Sequence, residues 1–161
     1  MRRILAVHLP SVRIEFVRAR MESTEARESA GAGSSPQKPL ALVVTGTAHG
    51  TVKDERSLLG NTRLDEVSDE ARALGIHPRD TIASARARAS DLEVRVLSED
   101  SIREVLERIA DSLFAFGATT SVDVATNTVW VDVTGCTHLH GEGIQGERAL
   151  VTKVLDHVRA R

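Results

Sequence analysis

The chain has 161 residues, 41% of them apolar and 27% charged, with a formal net charge of -2. That length suits one domain, or one domain with a smaller lobe inserted, and the near-neutral balance gives no global positive field for nucleic acid. The one cysteine, Cys136, excludes an internal disulfide and fits a reducing compartment, while the aromatic side chains are Phe16, Phe114, Phe116 and Trp130 with no tyrosine.

"MRRILAVHLP" starts like a secretory leader, but its apolar run stops at His8 and Pro10 and no small-residue cleavage site follows. No other segment has membrane-spanning length, so a cytoplasmic protein without a membrane partner is expected. Residues 3–9 read as a buried strand closed by Pro10, and "SVRIEFVRAR" as a helix with Ser11 as N-cap. Residues 21–38, rich in Ser, Gly, Ala and Glu, are expected to form a flexible loop. "LALVV" (40–44) is a second strand, and the polar stretch 45–63 suits a weak hairpin. Residues 64–76 have helical spacing at Val67, Ala71 and Leu74 and end at Gly75; a short helix follows near Thr81, then an alternating strand at 92–97.

Residues 99–117 carry the clearest helical stripe, with Ile102, Val105, Leu106, Ile109, Leu113 and Phe116 on one face between Ser98 and Gly117. "TSVDVA" and "TVWVDVT" form a hairpin turning at Thr126-Asn127, and residues 146–160 form a last amphipathic helix. The large elements run β-α-β-β-α, which predicts an α+β, ferredoxin-like (split βαβ) sheet with its helices on one face and a small inserted subdomain. That order lacks a closing fourth strand. An uncovered edge is therefore expected to self-associate, or to pair with a partner or with the loop at 21–38.

Cys136, His138 and His140 fall within five residues, a zinc-like grouping, but no second pair of ligands accompanies them, so a surface loop is the better reading. Cys136 has no sequence-local base. His8 reads as a satisfied core or surface group. Arg72, Arg79, Arg86 and Arg88 could contact phosphates, yet Glu70, Asp80 and Asp91 interleave them and a solvated helical surface is as good a reading. "TGTAHG" (45–50) lacks the Gly-Lys-Ser/Thr ending of a phosphate loop.

"EARALGIHPRDTIASARARASDLEVRV" resembles the fingers segment of Y-family DNA polymerases, and "VWVDVTGC" resembles a strand of their palm. "RILAVHLPSVRIE" and "DVTGCTHLHGEG" resemble the ImuB-type branch found in bacterial mutagenesis cassettes. The resemblance implies a palm-like domain at 1–20 and 95–161, a fingers-like subdomain at 39–94 and the loop 21–38 between them. In active relatives two metals are held by a first-strand "D-x-D" pattern and a later "D-E" pair. Here His8 and Pro10 fall on the first pair and Asn127 and Thr128 on the second. Arg13 falls on the aromatic steric gate and Asp69 on the triphosphate-binding tyrosine, whose companion Arg72 is retained. A shifted alignment rescues one carboxylate, Asp123.

On that basis the resemblance implies a catalytically inactive protein, not an enzyme, with no metal and no other cofactor. Its implied role is a bacterial, nucleoid-associated scaffold in SOS mutagenesis and translesion synthesis. There it would bridge a RecA-like ImuA-type protein, an error-prone C-family polymerase and the sliding clamp, and bind DNA weakly through Arg72, Arg79, Arg86 and Arg88. The alternatives are an active Y-family polymerase fragment whose ligands are misaligned, and an unrelated ferredoxin-like protein-binding module.

Overall fold

Alternation of apolar and polar residues in "TVWVD" builds the centre of the fold, a strand with one dry face and one wet face. The computed structural model describes residues 2–28, 37–46 and 55–160. In chain order the elements are β1 (Ile4–His8), α1 (Val12–Glu28), β2 (Leu40–Thr45), β3 (Glu66–Val67), α2 (Asp69–Ala73), α3 (Ile82–Arg88), β4 (Glu93–Ser98), α4 (Glu99–Leu113), β5 (Thr119–Asp123), β6 (Thr128–Asp132) and α5 (Gly143–Arg159). They divide into two compact units, Met1–Pro10 with Ile102–Arg161 and Ser11–Ser101. Residues 11–20 and 95–101, expected to group with the first set, cluster with the second.

The first unit holds a three-stranded sheet in the order β1-β6-β5, with β6 antiparallel to both neighbours. That is the expected split βαβ arrangement: β1 and β5 run parallel, and the later strand lies between them. Val129, Val131 and Val133 are buried with Val7 of β1, as are Leu106, Leu113, Leu150 and Val154 from the two helices. Gly117 brings the chain back after α4 so closely that a Cβ there would stand 2.5 Å from Val131 Cγ1 and 2.6 Å from the Asp132 carbonyl oxygen. The hairpin turns where expected, with Asn127 in the left-handed region at φ 51°. Residues 137–140 form one 3-10 turn before α5.

The second unit holds the sheet β3-β2-β4, in which β2 is parallel to β4 and antiparallel to β3. Its core is Ala41, Val43, Leu64, Val67, Ala71, Ile76, Ile82, Ala85, Ala89, Leu92 and Val94. Ser68 ends β3 and caps α2, accepting the Ala71 N–H at 3.3 Å and the Leu40 N–H at 3.1 Å. Thr81 caps α3 through the Ser84 N–H.

Three expectations are corrected. Residues 64–67 are not helical, because Glu66 and Val67 pair with Leu42 and Ala41 and give β2 a short antiparallel neighbour. The helix after Pro10 continues to Glu28, well into the stretch expected to be a loop; residues 29–36 lie outside the described residues. The helix opening at Glu99 ends at Leu113, and turns carry the chain on to Gly117. For the polar stretch 45–63, residues 47–54 lie outside the described residues, Glu55–Ser57 form a 3-10 turn, and Arg63 makes a single bridge with Thr81. No helix among the described residues is long and apolar enough to cross a membrane.

Candidate functional site

The register of the first sheet decides which polar residues meet. His8 of β1 lies opposite Thr128 of β6, which lies opposite Asp123 of β5. Directly opposed residues in an antiparallel pair project to one face, so the three side chains form a row at one end of the sheet. His8 Nδ1 is 3.4 Å from Thr128 Oγ1, which is 3.0 Å from Thr126 Oγ1. Thr126 donates its hydroxyl to Asp123 Oδ2 at 2.8 Å, and the backbone N–H groups of Ala125 and Thr126 reach Asp123 Oδ1 at 3.0 and 3.4 Å. The Thr126 hydroxyl, with those two N–H groups, holds the Asp123 carboxyl below its ordinary range. Pro10 follows two residues after His8, and the Leu9 N–H donates to the Asn127 carbonyl at 3.0 Å.

Three of the four positions singled out in the sequence, His8, Asn127 and Thr128, thus gather at one corner; Thr128 and Asn127 are buried, and His8 and Pro10 are exposed. Thr126, the hydroxyl that ties Asp123 into the row, was not anticipated. Its signal was an Asp followed three residues later by Thr at a turn, a spacing that lets a carboxylate accept the turn's own N–H groups. Asp132 stands at the opposite end of the same face. Donors from Thr134, with Arg2 alongside at 3.2 Å, hold its carboxyl low as well.

Two divalent cations need several carboxylates converging on one point. Among the described residues no group of three or more His, Cys, Asp or Glu side chains is placed to hold an ion. The corner offers an imidazole, two hydroxyls and one carboxylate that already accepts three donors, a set that does not fit a pair of such ions. The Cys136–His140 turn fits a metal no better: the Cys136 thiol sits 3.9 Å from the Thr134 carbonyl, and His140 Nδ1 faces the Lys153 ammonium at 3.2 Å.

In the second unit Arg72, Arg79, Arg86 and Arg88 are all exposed. Arg88 is committed, donating to Asp80 at 2.6 Å and to the Gly75 carbonyl at 2.8 Å. The His77 N–H and then Arg88 hold the Asp80 carboxyl low. Arg13 is 3.9 Å from Glu66. Burial pushes the Glu66 carboxyl up, and Arg13 and Arg72 pull it partly back. Arg18 pairs with Glu70 and keeps that carboxyl low.

A model of the impB/mucB/samB family matches residues 29–161. The chain belongs to this family. Its fold is that of the palm and fingers region of Y-family polymerases. The structure described as "Post-insertion binary complex of Dbh DNA polymerase" is 17% identical, with a TM-score of 0.60 over 100% of this chain and 39% of its own. DinB from Sulfolobus solfataricus is 18% identical, with a TM-score of 0.52 over 97% of this chain and 39% of its own. A Y-family DNA polymerase chimera is also 18% identical, with a TM-score of 0.55 over 97% and 39%. The chain thus spans about two fifths of the length of these structures. No curated protein sequence matches it.

Family membership corrects the expectation that the chain is not an enzyme. That expectation rested on vacated positions at one corner, whereas the family match covers most of the chain and three of the similar solved structures are described as DNA polymerases.

Proposed function

We propose that the chain acts in translesion DNA synthesis, with its first unit in the role of a palm and its second in the role of fingers, engaging a primer–template end near His8, Thr128 and Asp123. The observation that carries the reading is the impB/mucB/samB match over residues 29–161. The register supports it by bringing Asp123 into line with positions 8 and 128, which the resemblance aligns with metal-ligand positions of active relatives. Asp123 is the carboxylate of that row and the residue we assign to it as the acidic group. The test is primer extension past an abasic site by the purified protein. Extension that falls at least tenfold in Asp123→Asn is the expected result. No extension, or extension indifferent to that change, overturns the assignment.

The strand "RILAVHLP" and the segment "DVTGCTHLHGEG" favour a place in the ImuB-type branch. In that setting the protein works beside a RecA-like ImuA-type partner, an error-prone C-family polymerase and the sliding clamp. Co-purification of the tagged protein with those three partners from damaged cells is the check, and recovery of none removes the branch assignment.

A further inference from the structure

The open face of the first sheet carries a second feature. Its rows, read across β1, β6 and β5, are Ile4–Asp132–Thr119, Ala6–Trp130–Ser121 and His8–Thr128–Asp123. Trp130 stands at the centre with 43% of its surface exposed. Its two cross-strand neighbours are among the smallest side chains available, so neither Ala6 nor Ser121 can cover the indole. An exposed aromatic in mid-sheet, flanked by small residues, presents a flat π surface to whatever lies above it.

We propose that Trp130 is a stacking platform for an unpaired nucleobase at the end of a DNA strand, next to the His8–Thr128–Asp123 row. The inference rests on the proposed role in DNA synthesis and adds a contact that the role does not specify. The chemistry of the face favours a base over a protein partner. A protein-docking face presents contiguous apolar surface, whereas here the indole is ringed by Ser121, Thr119, Thr128, His8 and the carboxylates of Asp123 and Asp132, with Ile4 the one large apolar neighbour at the rim. A base has the matching character, an apolar face with polar edges. Stacking of a base on an aromatic side chain tolerates any sequence, because every base has a π-face. Arg2 is already paired with Asp132 at 3.2 Å, and Asp123 adds a second carboxylate to this face, so phosphate contributes less here than the base and binding responds weakly to salt.

Trp130 is the sole tryptophan and the chain has no tyrosine, so its emission reports on this position alone. The experiment titrates the full chain with a twelve-nucleotide oligothymidylate and with an abasic deoxyribose-phosphate strand of equal length. Quenching by the oligothymidylate, with affinity for the abasic strand at least fivefold lower, is the expected result. By anisotropy of a labelled oligonucleotide, Trp130→Ala then binds at least fivefold more weakly, while Trp130→Phe retains most of the affinity. Unchanged emission on binding, equal affinity for the abasic strand, or no binding overturns the proposal. The wild-type titration decides even if Trp130→Ala does not fold. Failure of primer extension with quenching intact removes the role in synthesis and leaves the platform; extension without quenching does the reverse.

Discussion

At the scale of single residues the sharpest constraints are steric. Gly146 in α5 packs against the preceding turn, where an added Cβ would sit 2.2 Å from the Gly141 carbonyl oxygen and 2.8 Å from that of Thr137. Both obstacles are backbone and cannot swing aside. Gly146→Ala is therefore expected to destabilise the protein by about 2–3 kcal/mol, the usual cost of forcing atoms into a packed site. A urea midpoint unchanged by the substitution would show that the turn moves freely. Glu66 supplies an electrostatic counterpart. Burial raises its folded-state pKa above the ordinary 4.5, with Arg13 and Arg72 offsetting part of the rise. A raised carboxyl contributes stability that is complete below the unfolded value and lost as pH climbs through the folded one. Glu66→Gln stays neutral throughout, so its stability relative to wild type should increase between pH 4 and pH 7. Parallel urea melts at the two pH values measure this; a constant gap would mean that the arginines cancel burial, and a gap that falls would mean that they outweigh it.

Elements show what local pattern can and cannot reveal. The long-range sheet of the first unit was legible because its signals are local: a 3.6-residue stripe in α4, alternation in β6, and a turn at Asn127. The strand at 66–67 was not, since Val67, Ala71 and Leu74 satisfy a helical period whether or not the helix has begun. What decides it is pairing with Ala41 and Leu42, some twenty-five residues away. The tail of α1 was missed for a different reason. Its Met, Glu, Ala and Arg are good helix formers, but the absence of large apolar groups suggested a loop. At the site, the gathering of His8, Asn127 and Thr128 was legible through resemblance; the hydrogen bonds that draw in Thr126 and Asp123 depend on the turn's geometry and were not. Ser68 links strand and helix, for its hydroxyl accepts N–H groups from both Leu40 and Ala71 and is itself buried. Ser68→Ala removes the cap and strands a buried N–H of β2. A loss of about 2–3 kcal/mol is expected, more than the roughly 1 kcal/mol of an ordinary cap. Thr81→Ala, which loses only the Ser84 contact, is the control. Equal losses in the two variants would deny Ser68 its second role.

For the molecule as a whole, charge placement matters more than net charge. The chain is formally -2, yet Arg72, Arg79, Arg86 and Arg88 all emerge from α2, α3 and the turn between them. Arg88 is tied to Asp80 and the Gly75 carbonyl and helps hold that turn in shape. All four were expected to contact phosphate; with Arg88 committed, we propose that the other three, which are exposed, do so. Each phosphate neutralised contributes about 0.7–0.9 to the slope of log affinity against log salt. Replacing Arg72, Arg79 and Arg86 with Ala together should then lower the slope for single-stranded DNA by roughly two units. Arg88→Ala should leave the slope nearly unchanged and lower the thermal midpoint instead. With three cations assigned to it, this surface is expected to bind in the non-specific range, about 10⁻⁴ to 10⁻⁶ M at physiological salt. Fluorescence anisotropy across a salt series gives both quantities. Submicromolar binding at physiological salt that survives loss of all four arginines would place the DNA contacts elsewhere on the chain.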